Sequence, residues 1–102
     1  VMLRRIIENL IGNALKHGIG DLKIEVKESK NIEICFSNQI DDVDLDVHKM
    51  FDEFYTTDMS RTKGSTGLGL FIAKEFTTQL GGKIWALKEQ NRINIVILFE
   101  NN

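Results

Sequence analysis

Apolar residues recur at helical spacing at the start of the chain, and this pattern predicts a helix already running by about residue 3. Gly18 and Gly20 would end it. Because no capping residue precedes the helix, we interpret the chain as an N-terminally truncated fragment of a longer protein. The apolar stripe consists of Leu3, Ile6, Ile7, Leu10, Ile11, Ala14 and Leu15.

Alternation of apolar and polar residues predicts two β-hairpins. The strands of the first hairpin, residues 22–27 and 32–36, flank a turn at 28–31. The strands of the second hairpin are residues 83–88 and 93–99. Strands of this kind bury one face and expose the other.

A second helix is predicted between the two hairpins. It spans residues 68–80, and the glycine pair at 81–82 would end it. Residues 39–49 form an acidic loop, with one helical turn expected near 47–54. Residues 55–67 show no period and are predicted to be a long mobile loop, which in a compact domain is usually functional.

The order α, β, β, loop, α, β, β predicts an α+β two-layer sandwich. The helices would lie on one face of a mixed, mostly antiparallel sheet. We expect a single domain over residues 1–102, because a chain of this length supports one core.

Composition excludes several classes of function. The chain has 13 Lys and Arg against 15 Asp and Glu, so no basic excess indicates a nucleic-acid partner. Cys35 is the only cysteine, which excludes an internal disulfide and a zinc site built on cysteine pairs. No apolar run approaches the roughly 20 residues that span a bilayer. We therefore expect a reducing, cytosolic compartment.

Four polar residues share one side of the first helix. Asn9, Asn13, Lys16 and His17 cover an arc of about 100° beside the apolar stripe. Amide oxygens suit Mg²⁺, which takes most of its ligands from water and phosphate. The stripe is thus a candidate site for a magnesium-bound nucleotide, in which Lys16 would meet a phosphate oxygen. Taken alone, it is also compatible with a solvated helix edge.

A glycine-rich segment leads directly into the second helix. Its glycines would let the backbone turn sharply and approach a ligand, and the helix start would offer unpaired N–H groups to an anion. The pattern is neither the P-loop nor the dinucleotide fingerprint, and alone it is also compatible with simple loop flexibility. The segment is Gly64-Ser65-Thr66-Gly67-Leu68-Gly69-Leu70.

Three motifs in this order resemble those of sensor histidine kinases. Residues 9–17 resemble the N box, residues 51–55 the F box, and residues 64–84 the G2 box with its following helix. Together they cover nearly the whole chain. The chain therefore resembles the catalytic, ATP-binding domain of a two-component sensor histidine kinase. The resemblance implies the Bergerat fold of the GHKL ATPases, shared with Hsp90, MutL and gyrase B.

The resemblance implies roles for the matching residues. Asn13 and Asn9 would hold Mg²⁺, and Asn9, Lys16 and the lid residue Arg61 would act on the phosphates of ATP. Phe54 would anchor the base of the ATP lid, although plain core packing also accounts for an aromatic residue at this position. The implied nucleotide-binding set is Asn9, Asn13, Lys16, His17, Asn38, Phe54, Tyr55, Gly64, Ser65, Thr66, Gly67, Leu68, Gly69 and Leu70.

One motif departs from the family pattern. The family usually carries Asp-x-Gly-x-Gly after the second strand, and its Asp bonds the adenine amino group. Here Asn38 stands in the Asp position, and both glycines are missing. The Asn at this position resembles a branch of the family similar to vancomycin-resistance sensor kinases. A neutral acceptor bonds more weakly than a charged one, so we expect weaker ATP binding. A degenerate docking module that binds little or no nucleotide is the alternative.

ATP-hydrolysing relatives of this fold carry a Glu where Asn9 stands and use it to activate water. An Asn cannot act as a general base. Glu8 lies about 100° away around the helix, so we expect it to miss the cleft. The resemblance therefore favours transfer of the γ-phosphoryl group over hydrolysis.

The resemblance also implies partners. The phosphoryl acceptor would be a histidine on the dimerisation and phosphotransfer domain of the same kinase, because neither His17 nor His48 has the sequence context of an acceptor. A response regulator would be an indirect partner. We expect the isolated domain to be monomeric and cytoplasmic, and the intact protein to be anchored in the membrane.

The lid segment generates a prediction. Without nucleotide, residues 56–66 should be poorly ordered, because no apolar pattern ties them to the core. Hydrogen–deuterium exchange should show their amides exchanging much faster than those of the two predicted helices. Equal protection of the lid and the helices would contradict this expectation.

Overall fold

The computed structural model describes residues 1–100, so residues 101–102 of the predicted domain lie outside the described part. Helix α1, Met2–His17, is the predicted first helix, and it buries Ile6, Leu10 and Ala14 in the core. Among residues 1–100, no helix is both long and apolar enough to cross a bilayer.

Four strands form one sheet in the order β1-β2-β4-β3, and every pairing between neighbours is antiparallel. Both predicted hairpins are confirmed, and their strands extend further than the apolar alternation indicated, because ladder hydrogen bonds continue through polar residues. The strands are β1 (Ile19–Glu28), β2 (Asn31–Gln39), β3 (Lys83–Glu89) and β4 (Arg92–Glu100).

The core lies between this sheet and the helices. Residues directly opposite in a ladder share a face of the sheet, and Phe36 pairs with Ile95 while Ile34 pairs with Ile97. These side chains belong to one apolar cluster with residues of α1 and of helix α3, Gly69–Gln79. The α+β two-layer sandwich is therefore confirmed.

Helix α3 ends at the predicted glycine pair. The N–H of Gly82 donates to the Thr77 carbonyl at 2.9 Å, and the N–H of Gly81 donates to the Thr78 carbonyl at 3.0 Å. Gly81 has a φ of +80°, the left-handed conformation that such a helix end requires.

The segment predicted as an irregular loop contains a short helix, α2, Asp58–Thr62. Its start is a capping box: Ser60 N–H donates to Thr57 Oγ1 at 3.1 Å, and Thr57 N–H donates to Ser60 Oγ at 2.8 Å. No residue of α2 is buried. The sequence of α2 therefore shows no periodic pattern of apolar residues from which the helix could be predicted. Near residues 47–54, successive tight turns stand in place of a regular helix.

The two ends of the lid, which we define as residues 55–66, are joined through the backbone. Phe54 N–H donates to the Gly67 carbonyl at 2.9 Å. Gly67 has a φ of +77°, and a Cβ there would lie 2.6 Å from Phe54 Cα and 2.7 Å from Tyr55 N. Only glycine therefore allows the lid to close on itself at this point.

Gly67→Ala should destabilise the domain by about 2–5 kcal/mol, since a left-handed non-glycine residue costs about 1–2 kcal/mol and steric overlap about 1–3 kcal/mol. Gly81→Ala is the matched control, because Gly81 also has a positive φ but no atom lies within 4 Å of an added Cβ. It should cost only about 1–2 kcal/mol. Urea unfolding followed by circular dichroism would measure both variants, and equal losses would contradict the proposed overlap.

Candidate functional site

A cleft of about 380 Å³ lies between α1, the loop after β2 and the lid. Helix α1 lines it with Asn9, Asn13, Lys16 and His17, the four residues of the predicted polar stripe. Gly67 lines the same cleft from the other side. The convergence of the amide side chains with the glycine segment, on which the kinase interpretation depends, is therefore present in the structure.

The glycine segment meets α1 at one end of the cleft. Asn9 Oδ1 lies 3.8 Å from the position of a Cβ on Gly69, and Lys16 Nζ lies 3.8 Å from the position of a Cβ on Gly64. The first N–H groups of α3 have no intrahelical partners and carry the positive end of the helix dipole. This end of the cleft is therefore suited to an anion such as a phosphate group.

Another part of the cleft lining is apolar, and Asn38 lies beside it, since Asn38 pairs with Ile93 in the β2–β4 ladder. This side chain is 6% exposed, and its Nδ2 donates to the Gln39 carbonyl at 3.1 Å, which leaves its carbonyl oxygen as an acceptor. A Cβ on Gly18 would lie 2.6 Å from Asn38 Nδ2, so the glycine that ends α1 also makes room for Asn38. The apolar lining consists of Ile40, Leu45, Met50 and Ile93.

That apolar lining was not predicted from the sequence. Its residues come from the end of β2, from the following turns and from β4, and no spacing rule connects them. The alternation of β4 did predict an inward-facing Ile93, but it gave no sign that this face continues into a cleft.

His17 connects α1 with the lid. Its Nε2 lies 2.7 Å from Ser65 Oγ. Burial lowers the pKa of His17 most, and the positive charges of Lys63 and Lys16 lower it further, whereas Asp42 raises it. These effects together favour the neutral imidazole.

A second link to the lid was not predicted. The Thr57 hydroxyl, on a residue only 6% exposed, donates to the Asp42 carboxylate. Both residues line the cleft, as does Ser60. The Thr-x-x-Ser spacing of the capping box was the signal in the sequence that marked this helix start.

Most residues of the predicted site line the cleft, and three do not. The Phe54 side chain is 64% exposed, so this residue contributes its backbone to the lid base instead. Leu68 is the N-cap residue of α3 and lies outside the lining. Arg61 pairs with Asp58 at 3.2 Å on the outer side of α2. The predicted residues in the lining are Asn9, Asn13, Lys16, His17, Asn38, Tyr55, Gly64, Ser65, Thr66, Gly67, Gly69 and Leu70.

The expectation that Glu8 misses the cleft is wrong, because Glu8 belongs to its lining. Gly12, one helical turn after Glu8, also lines the cleft. No other atom lies within 4 Å of the position that a Cβ on Gly12 would take. The cleft therefore opens across a wider arc of the helix than the polar stripe alone. The Glu8 carboxylate lies 3.5 Å from Arg4 Nε, and its side chain is 58% exposed.

Comparison with known proteins gives the family. Residues 1–100 match the family described as histidine kinase-, DNA gyrase B-, and HSP90-like ATPase. Sensor histidine kinase WalK of Bacillus subtilis is 39% identical in an alignment 93 residues long that covers 82% of this chain and 15% of WalK. Sensor protein kinase WalK of Staphylococcus aureus is 35% identical in an alignment 92 residues long that covers 82% of this chain and 22% of that protein. The chain thus spans less than a quarter of the length of these curated relatives.

Solved structures share the fold. Full-length ShkA in complex with AMPPNP superposes with a TM-score of 0.79 at 22% identity, covering 99% of this chain and 22% of that chain. The Acinetobacter baumannii histidine kinase AdeS superposes with a TM-score of 0.78 at 21% identity, covering 99% of this chain and 46% of that chain. The catalytic domain of histidine kinase ThkA superposes with a TM-score of 0.73 at 23% identity, covering 98% of this chain and 67% of that chain. With the family match over residues 1–100, these findings establish that the chain belongs to the histidine kinase-, DNA gyrase B- and HSP90-like ATPases.

Proposed function

We propose that this chain is the ATP-binding catalytic domain of a sensor histidine kinase, which transfers the γ-phosphoryl group of ATP to a histidine on a separate dimerisation domain. The observation that carries the proposal is the convergence of Asn9, Asn13 and Lys16 with the glycine segment on one cleft. The curated relatives named above are sensor kinases. One structural neighbour was solved with the ATP analogue AMPPNP.

The cleft lining contains both an apolar part and a polar part, as ATP has an apolar base and charged phosphates. The adenine ring would pack on the apolar lining, and the Asn38 carbonyl would accept a hydrogen bond from the adenine amino group. The phosphates would lie at the glycine segment, where Lys16 and the start of α3 supply positive charge.

The side chains at the phosphate end fit a magnesium ion that arrives with the nucleotide. Among residues 1–100, no three His, Cys, Asp or Glu side chains are placed to hold a metal ion. The donors on α1 are the amide oxygens of Asn13 and Asn9, and Mg²⁺ needs few protein ligands when phosphates and water supply the others. When bound, the ion would neutralise phosphate charge.

Phosphoryl transfer depends mainly on positioning and charge neutralisation. Asn9 and Lys16 would orient the phosphates, and the N–H groups at the start of α3 would bind their oxygens. Arg61 stays a candidate for the γ-phosphate, because its exposed ion pair with Asp58 contributes little and would break easily when the lid moves. The acceptor imidazole is largely neutral at pH 7, so it needs no strong base.

The proposal includes partners outside this chain. The acceptor histidine would lie on the dimerisation and phosphotransfer domain of the same kinase, and the phosphoryl group would then pass to a response regulator. The domain would lie on the cytoplasmic side of a membrane-anchored protein.

A second candidate function, ATP hydrolysis, has one observation in its favour, namely that Glu8 lines the cleft. A general base must reach the attacking water. The pairing of Glu8 with Arg4 and its exposure indicate that the carboxylate is solvated at the rim instead. We therefore place phosphoryl transfer to histidine first.

Asn13→Ala should abolish the magnesium-dependent part of ATP affinity, because it removes the amide ligand while the buried stripe of α1 stays intact. Calorimetric titration with and without Mg²⁺ would measure the affinity, and circular dichroism would check the fold. Asn94→Ala is the matched control, since Asn94 lies on β4 outside the cleft.

Three outcomes would contradict the proposed function. Unchanged affinity in Asn13→Ala would remove Asn13 from the site. No saturable binding at millimolar ATP would favour the docking module. Phosphate release to water that is rapid without an acceptor domain and lost in Glu8→Gln would support hydrolysis.

A further inference from the structure

His17 is the point at which the end of α1 touches the lid. Its Nε2 and Ser65 Oγ lie 2.7 Å apart, and both residues line the cleft. Ser65 is itself held within the lid, since its backbone N–H donates to the Ser60 carbonyl at 3.1 Å. The protonation state of the His17 imidazole therefore acts directly on the Ser65 hydroxyl group in the cleft lining.

Charged groups face His17 from three elements. Lys16 precedes it on α1, Lys63 follows α2 in the lid, and Asp42 lies in the loop after β2. The Asp42 carboxylate already accepts a hydrogen bond from the Thr57 hydroxyl. Partial burial, together with the positive charges of Lys63 and Lys16, outweighs the effect of Asp42 and holds the pKa of His17 below its ordinary value.

We propose that His17 is a positioning residue that takes up a proton when nucleotide phosphates bind beside Ser65, so that nucleotide binding is coupled to proton uptake. The proposal rests on the proposed function, because it requires a phosphate-bearing nucleotide in this cleft.

The electrostatic argument follows from the contacts. An anion held between Lys16 and Ser65 lies close to His17, which touches Ser65. ATP keeps a net negative charge when one Mg²⁺ is bound to it. A nearby negative charge favours the protonated imidazole and opposes the effect of the lysines.

The hydrogen-bond argument points the same way. A neutral imidazole nitrogen either accepts from the Ser65 hydroxyl or donates to it, depending on the tautomer. Once a proton from solvent has been added, both ring nitrogens are donors, and Nε2–H donates to Ser65 Oγ. The Ser65 O–H is then available to donate to a phosphate oxygen. Protonated His17 thus orients Ser65 toward the ligand.

Linkage fixes the sign of the pH dependence. The proposal implies that the pKa of His17 is higher in the nucleotide complex than in the free protein. The affinity for the nucleotide then rises as pH falls from the pKa of the complex to the pKa of the free protein. Each unit of difference between them corresponds to about a tenfold change in affinity.

Nuclear magnetic resonance of the chain tests the coupling directly. The imidazole carbon shifts of His17 and His48 would be followed against pH, alone and with saturating Mg²⁺–AMPPNP. The His17 midpoint should move upward by an amount equivalent to a roughly threefold to tenfold change in proton affinity, and the exposed His48 should not respond.

Two outcomes would overturn the proposal in distinguishable ways. If amides of the glycine segment shift with AMPPNP while the His17 midpoint stays in place, the coupling is wrong and the proposed function stands. If no amide responds at millimolar AMPPNP, the proposed function fails as well.

His17→Gln separates protonation from hydrogen bonding, because a glutamine amide can bond Ser65 but cannot titrate near neutral pH. Protonation of the nucleotide changes its affinity for His17→Gln and for the unaltered protein equally. The ratio of the nucleotide dissociation constant of His17→Gln to that of the unaltered protein therefore reports the effect of His17 protonation alone. This ratio should rise roughly threefold to tenfold between about pH 7.5 and about pH 5.5. His48→Asn, the matched control, should give a flat ratio. A flat ratio for His17→Gln would overturn the proposal, and the midpoint measurement decides the matter if that variant does not fold.

Discussion

The burial of one stripe of α1 fixes the geometry of the whole site. Ile6 and Leu10 pack in one cluster with residues of the sheet and of α3, and Ala14 is also buried, so the helix cannot turn about its axis without exposing these side chains. Exposing a single large apolar side chain costs about 1.5–3 kcal/mol. Because the polar stripe borders the apolar one, this packing directs Asn9 and Asn13 into the cleft. The core thus determines where a nucleotide would meet the protein.

The lid, in contrast to α1, is held in place mainly by hydrogen bonds. Its ends are joined by the backbone bond between Phe54 and Gly67, whereas its helix buries no side chain. Beyond the joined ends, side-chain contacts such as Thr57 with Asp42 and His17 with Ser65 hold it to the body of the domain. Elements with few buried contacts open at low cost. We therefore expect the lid to move while α1 stays in place, which would let a ligand enter the cleft.

Amide side chains would take part in binding both the base and the phosphates of the proposed ligand. Asn38 lies beside the apolar lining, and Asn9 and Asn13 line the cleft from α1. Neutral groups form weaker hydrogen bonds than charged ones. Affinity would therefore depend on charge brought by the ligand and its metal ion, and on the nearby side chains whose charge can change. His17, bordered by Lys16, is such a group.

The sequence by itself determined the two long helices, both hairpins, their order and the residues of the polar stripe and glycine segment, because each depends on spacing within one segment. Only the tertiary structure showed that Ile93 joins the apolar lining, that Glu8 enters the cleft and that Phe54 stays outside it. It also showed α2, whose start is stabilised by hydroxyl groups of a capping box and which has no periodic apolar pattern. These features depend on which distant segments pack together and on how much room their side chains leave, and periodicity along a chain carries no information about either.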